Sequence, residues 1–359
     1  MLPSFHIKNF RAFDTLTVKR LSRVNLIVGK NNVGKSAFLD AIALYNAKFS
    51  KKEVEKQLIR KQEVNAFSDT LRAWSPLFHG YNPVDFMGVE TSGIKLSLNH
   101  DDQGVSLKAC VTDNSNSKSF MDLKKMNLDD FNQQLAKGKN LSLGLVITAD
   151  NYFFNLLQSY SISLGSVFDS IPIVYVSTHG LTDDMASRLL DRLNLTKLPP
   201  QLIHSLRLLD PRIEQIAFAD VEMNDQASQR IPFIKLKNIN EPIPLKSLGD
   251  GLTRVFHIML AMMNAKDGIL LIDEFENGLH WSVQEEVWEK IFVLAEKLNV
   301  QVFATTHSCD CVQAFSEVWN TQADQGAYFR LFQRDDHIQV QEYDARLLAN
   351  SITCDAETR

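Results

Sequence analysis

Short apolar runs alternate along this chain with longer stretches of helical spacing. Gly268–Ile272 carries four consecutive apolar residues and ends in Asp273-Glu274, the pattern of a parallel strand covered on both faces. Asn299–Thr306 reads as another buried strand, with His307 just past its end. Between the two, Val283, Val287, Ile291, Leu294 and Leu298 recur at helical spacing over Trp281–Leu298. Strand, helix and strand in that succession predict neighbours in one parallel sheet. Upstream, apolar Ile27-Val28 runs through a glycine-containing loop into the helical pattern Ala37–Ile42. Leu252, Val255, Phe256, Met259 and Met263 line one face of a helix opened by Ser247–Gly251. From Leu181 to Leu209 the pattern is helical, broken at Pro199-Pro200. Gly93–Leu98 with Val105–Thr112, and Tyr328–Gln333 with Ile338–Tyr343, predict hairpins, the second around Asp335-Asp336. Ile216–Met223 and Pro232–Leu236 read as two more strands.

The loop after Ile27-Val28 is Gly29-Lys30-Asn31-Asn32-Val33-Gly34-Lys35-Ser36, the Gly-x4-Gly-Lys-Ser phosphate loop in its strand–loop–helix setting. Two glycines let the backbone curl so that its N–H groups face a phosphate, and the helix start adds unpaired amides. Lys35 is placed to reach the β- and γ-phosphates and Ser36 to ligate Mg2+. Asp273 is the candidate second holder of Mg2+, and Glu274 the candidate base for an attacking water. A strand often ends at acidic residues for no chemical reason, but the phosphate loop turns this pair into a nucleoside triphosphate site. A histidine after a strand is more often structural. Here the adjacent strand ends in Asp273-Glu274, so His307 is expected to face the same γ-phosphate. Gly249-Asp250-Gly251 is either an anion site at a helix N-terminus or an ordinary turn capped by Asp250.

These four elements in this order resemble the ATP-binding cassette fold, and more closely the soluble SMC/RecF/OLD branch. Ile7-Lys8-Asn9-Phe10-Arg11-Ala12-Phe13 is similar to that branch's first strand, and Glu276-Asn277-Gly278-Leu279-His280 to its D-loop. The resemblance covers roughly residues 1–46 and 245–316 and is thin between them. Over the whole length the chain looks like the compact, stand-alone AAA/ABC-type ATPases of bacterial defence operons. It implies an α/β P-loop NTPase: an ABC-ATPase-like head with a mostly parallel core sheet, an antiparallel β portion and an inserted helical lobe. The resemblance implies one domain over 1–359, with a core lobe of about 1–46 and 245–359 and an inserted lobe of about 47–244. The ligands implied are ATP and Mg2+. The partners implied are a second copy, closing head-to-tail around ATP, and a separate effector subunit. Gly249, Asp250 and Gly251 then act on the nucleotide of the second copy, and Arg11 approaches the nucleotide. The signature departs from Ser-Gly-Gly, with Gly249 and Asp250 where Ser and Gly are expected. No Q-loop glutamine is evident after Ile173–Val176, which leads into Ser177-Thr178-His179.

Composition narrows the picture. The apolar share of 45% supports a substantial core, and no run is long enough to cross a membrane. The chain enters a strand at once, so a cytoplasmic location without a signal peptide is expected. Cys110, Cys309, Cys311 and Cys354 lack zinc spacing and read as reduced thiols. Lys48, Lys52, Lys56 and Arg60 recur every four residues, a candidate contact for nucleic acid. The interleaved Glu53, Glu55 and Glu63 and a net charge of −5 favour a solvated helix face. The stretch after His307 is too short for the TOPRIM nuclease domain that OLD proteins carry, and Asp335-Asp336 reads as a turn. Alternatives are the nucleotide-binding subunit of an ABC transporter, a regulatory binding module without significant turnover, or a GTPase or AAA+ ring protein. No Asn-Lys-x-Asp guanine-reading motif is present. An AAA+ protein more often places Asn where His307 stands.

Overall fold

The computed structural model describes residues 1–48, 51–60, 75–81, 94–98, 104–113, 120–122, 137, 141–149, 152–155, 171–224, 227–322 and 324–353. The chain opens on β1 (Phe5–Phe10) and β2 (Phe13–Val18), an antiparallel pair with Phe10 opposite Phe13. Ile7–Phe13, expected as one strand, therefore turns at Arg11-Ala12. Asn9 and Arg11 take positive φ there, which ends the extended run. β3 (Val24–Val28) leads through the glycine loop into α1 (Lys35–Asn46), followed by α2 (Lys51–Arg60).

Five strands come next: β4 (Ile94–Ser97), β5 (Gly104–Asp113), β6 (Phe120–Asp122), β7 (Leu141–Ala149) and β8 (Tyr152–Asn155). β4 and β5 pair antiparallel, as the alternation predicted. Residues 99–103 between them and 114–119 after β5 lie outside the described residues. β9 (Ile173–Val176) precedes α3 (Asp183–Asn194) and α4 (Pro199–Leu206), with Pro199 tolerated at the first helical turn. β10 (Ile213–Asn224), β11 (Ala227–Leu236) and β12 (Ile243–Pro244) form a separate antiparallel sheet. The chain closes with α5 (Asp250–Asn264), β13 (Ile269–Ile272), α6 (Trp281–Lys297), β14 (Gln301–Thr306), α7 (Cys309–Thr321), β15 (Gly326–Arg334), β16 (His337–Tyr343) and α8 (Ala345–Thr353). Asp335 and Asp336, both at positive φ, make the β15–β16 turn.

The central sheet has the order β16-β15-β3-β14-β13-β9, parallel throughout except for β16. β13 and β14 are neighbours, as the strand–helix–strand succession predicted. The antiparallel sheet runs β2-β1-β4-β5-β7-β8, with β6 on β5. Alternate residues of each central strand feed two cores. Leu26, Leu270, Ile272, Val302 and Ala304 join one cluster with α3 to α7. Ile27, Ile269, Leu271 and Phe303 join a second, which packs α1 and the antiparallel sheet onto the opposite face. That double burial is why these strands read as unbroken apolar runs.

The fold is an α/β P-loop NTPase head in which the 47–244 segment contributes strands as well as helices. β9 pairs with β13 inside the central sheet, and α3 and α4 share the core of α5. Lys48 does not continue the basic stripe on a helix: it lies before α2 at positive φ, its ammonium 4.9 Å from the Tyr45 ring. Lys56 pairs with Glu53 at 3.6 Å, while the side chains of Lys52 and Arg60 lie outside the described residues. Cys309 is exposed and Cys311 buried, both free. Among the described residues no helix is long and apolar enough to cross a membrane.

Candidate nucleotide site

The parallel strands β3, β13 and β14 deliver three loops to one end of the sheet, where a cavity of about 610 Å3 is lined by Arg11, Asn31, Asn32, Gly34, Lys35, Ser36, Asp273, Glu274 and His307. Two glycines of the first loop are sterically required. A Cβ on Gly29, at φ 148°, would lie 2.4 Å from the Leu331 carbonyl oxygen. One on Gly34, at φ 89°, would lie 2.8 Å from the Phe13 ring. Gly34 caps α1 without a side-chain hydrogen bond, and the first turn holds no acid, so the positive end of the helix is open to an anion. Lys35 Nζ donates to the Gly29 and Lys30 carbonyls at 2.7 and 3.0 Å. Burial lowers the Lys35 pKa, and Glu274, Glu276 and Asp273 oppose that shift. Val33 is buried behind the loop.

Asp273 is the hub. Its Oδ1 accepts from Ser36 Oγ at 3.0 Å and from Thr305 Oγ1 at 2.7 Å, and its Oδ2 accepts from Tyr175 Oη at 3.2 Å. Hydrogen bonds to a charged group contribute about 1.5–3 kcal/mol each, so three of them hold this carboxylate in one orientation. The same Thr305 hydroxyl accepts the Glu274 N–H at 2.9 Å. Glu274 stands at φ 51°, a strained backbone for a residue with a Cβ. Phe275 turns inward and stacks on Trp288 of α6, ring centroids 4.0 Å apart, so Glu274 and Glu276 flank a fully buried anchor.

Arg254, on α5 and 4% exposed, locks the backbone of this loop. Its guanidinium donates to the carbonyls of Ser177 at 2.7 Å, Asp273 at 2.8 Å and Glu274 at 2.7 Å. Burial brings its pKa down to about 10, with Glu276, Asp273 and Glu274 opposing that shift. Arg11 lines the cavity through a buried ion pair, Nε to Asp40 Oδ2 at 3.5 Å. His307 N donates to Glu276 Oε1 at 3.0 Å.

Gly249, Asp250 and Gly251 lie apart from this cavity. Asp250 belongs to a second one of about 250 Å3, with Thr178, His179, Arg254, His257 and Asn277. The cap of α5 is Gly249 rather than Asp250, which is the first helical residue. A Cβ on Gly251 would meet the Gly278 carbonyl at 3.2 Å, so the glycine turn packs on the Glu276–His280 loop.

Residues 1–164 and 182–312 match the family described as AAA ATPase domain. The chain belongs to this AAA ATPase family. An "ATP/GTP phosphatase" of Helicobacter pylori is 27% identical over 372 residues, covering 96% of this chain and 95% of that protein. An uncharacterized protein of Methanocaldococcus jannaschii is 47% identical over 45 residues, 12% of this chain and 20% of that one. Among solved structures, an SMC head bound to the C-winged helix domain of ScpA superposes with a TM-score of 0.50 at 11% identity, covering 95% of this chain and 98% of that chain. At that identity the likeness concerns the fold alone.

Sequence reasoning on this AAA ATPase missed Tyr175, Arg254, Thr305 and Asp40. Arg254 had a signal, a charged residue inside an apolar helical run. Tyr175 had one too, a hydroxyl on the strand searched for a glutamine. Asp40 had the same signal as Arg254, a charge inside the apolar helical run Ala37–Ile42, and Thr305 carried none.

Proposed function

We propose that this chain is a Mg2+-dependent ATPase, a single working unit that closes head-to-tail with a second copy around bound ATP. The observation that carries the reading is the linked set Ser36, Asp273, Thr305 and Glu274 beside the phosphate loop. A hydroxyl and a carboxylate oxygen meet there, the small hard-donor set that suits Mg2+ when phosphates and water complete its shell. Ser36 and Asp273 would hold the ion, which when bound supplies charge neutralisation at the β- and γ-phosphates.

This chain's own residues do the rest. The Gly29–Ser36 backbone and Lys35 bind the phosphates, Arg11 lies along the cavity wall, Glu274 takes a proton from the attacking water, and His307 serves the γ-phosphate end. Asp250 lines a different cavity from Lys35. That separation supports a role for Gly249–Gly251 on the nucleotide of the second copy. Trp281, 64% exposed beside the Glu276–His280 loop, adds apolar surface on that side. The energy of hydrolysis then goes into opening and closing the pair, which acts on an effector or on nucleic acid. Resemblance to OLD-type ATPases extends the proposal to DNA-linked or anti-phage processes. The name of the Helicobacter pylori relative brings in GTP as a second candidate substrate.

Phosphate release with Mg2+ and either ATP or GTP tests the chemistry. Lys35→Ala should lose nucleotide binding. Glu274→Gln should bind ATP, turn over about 100-fold or more slowly, and gather as a dimer by light scattering. Wild-type turnover in Glu274→Gln would remove the assignment of the base. A monomer mass for that variant in saturating ATP would remove the dimer.

A further inference from the structure

Glu276 is three residues beyond Asp273 and belongs to none of the nucleotide-binding roles above. Its side chain is 11% exposed, an uncommon place for a carboxylate without a task. One oxygen serves His307 twice. Oε1 accepts the His307 backbone N–H at 3.0 Å and stands 3.1 Å from His307 Nδ1. The backbone hydrogen bond fixes the chain where β14 ends, and the ring nitrogen stands within ion-pair distance of the same oxygen. A carboxylate only accepts, so the ring nitrogen that faces it is the one that carries a proton. In the neutral ring, Nε2 on the opposite edge is then an acceptor. The other carboxylate oxygen, Oε2, is buried and accepts no hydrogen bond from the described residues. Leaving a buried acceptor unsatisfied is costly, and more so for a charged one.

We propose that Glu276 is a positioning residue, whose carboxylate sets the rotamer and tautomer of His307 so that Nε2 accepts a hydrogen bond from water at the γ-phosphate end of the cavity. The proposal rests on the nucleotide reading above. Its geometry has local causes. Phe275, buried against Trp288, holds the loop from one side, and Arg254 holds the Asp273 and Glu274 carbonyls from the other. Glu276 is thereby carried to the end of β14 rather than out into solvent. Its charge also opposes the loss of the Lys35 proton, so one carboxylate serves two walls of the cavity.

Histidine-selective 15N labelling of the full chain tests this without turnover, with His307→Ala identifying the His307 signals. At mildly alkaline pH, His307 in the wild type should show the Nδ1–H tautomer. In Glu276→Ala it should revert to the Nε2–H tautomer that free imidazole favours. In ATP turnover, Glu276→Ala should lower kcat about 100-fold at unchanged KM, the scale of loss when a group near the reacting atoms is misplaced. Glu276→Gln, whose amide oxygen can still accept from His307, should recover most of that loss. The Glu276→Ala/His307→Ala double variant should be no slower than His307→Ala alone. An Nε2–H wild-type ring, or losses that multiply in the double variant, would overturn the proposal. A wild type with the Nδ1–H ring but no hydrolysis would instead refute the proposed function and leave Glu276 as the residue that sets the His307 tautomer.

Discussion

His257 gives this chain a pH-dependent stability whose sign and size follow from its surroundings. The residue is 5% exposed on α5, and its Nδ1 accepts the Leu181 N–H at 3.2 Å. Gly180 lies so close that a Cβ there would reach Nδ1 at 2.3 Å, so that nitrogen faces backbone rather than solvent. Burial, then the Arg254 and Lys246 charges, push its pKa from 6.5 down to about 4. Between those values the unfolded chain binds a proton that the folded chain refuses, so folding stability rises with pH. The contribution is fully present above 6.5 and is lost as pH falls through the folded value of about 4. A shift of that size corresponds to about 3 kcal/mol. His257→Gln offers a non-ionising acceptor near Leu181 and should flatten this part of the curve. Urea unfolding of both proteins across that window isolates the effect, because every carboxylate titrates alike in the two chains. The difference in unfolding free energy, wild type minus variant, should fall by about 3 kcal/mol from the top of the window to the bottom. Parallel curves would refute the reasoning, since a neutral buried His257 is its only premise.

Two further outcomes follow from the loop after β13. Arg254→Met keeps the volume but strips the Ser177, Asp273 and Glu274 carbonyls of their donor; urea unfolding should show a loss of about 2–4 kcal/mol, and kcat should fall with KM little changed. Glu274→Gly removes the strained Cβ, so it should raise unfolding free energy by about 1 kcal/mol while phosphate release falls at least as far as in Glu274→Gln.

The strands of the central sheet were legible because burial on both faces writes itself as an unbroken apolar run. Ile269–Ile272 can only be apolar if each residue meets one core or the other. The strand–helix–strand order then put Asp273, Glu274 and His307 on one sheet edge, where they are found around one cavity. The turn inside Ile7–Phe13 escaped because it uses positive φ at Asn9 and Arg11, residues that give no glycine signal. The 47–244 segment was harder still. β9 is only four residues long, and its partner β13 lies far along the chain, so nothing local reveals that it closes the sheet. The partners of Tyr175, Thr305 and Arg254 were illegible for a related reason, whatever signal the residues themselves carried. Each acts on a group brought near by sheet pairing or by α5, through a hydrogen bond that no residue spacing records.

Strain at Glu274 bears on whether the site turns nucleotide over or only holds it. A module that merely binds needs the phosphate loop, Lys35 and the Ser36–Asp273 pair, whose contact is made by the Asp273 side chain and not by Glu274. Yet Glu274 is kept at φ 51° by two separate anchors, the Thr305 hydroxyl on its N–H and the Arg254 guanidinium on its carbonyl. A non-glycine residue in that region costs about 1–2 kcal/mol, and such a cost persists only where the surroundings over-determine it. Holding nucleotide does not by itself call for that cost, because the Ser36 contact runs to the Asp273 side chain. Aiming a carboxylate does call for it, since a general base must stand within hydrogen-bond reach of the water it deprotonates. The two anchors come from β14 and α5, different elements that a binding loop has no reason to recruit to one residue. Their convergence on Glu274 therefore favours hydrolysis over a regulatory module that binds without turnover.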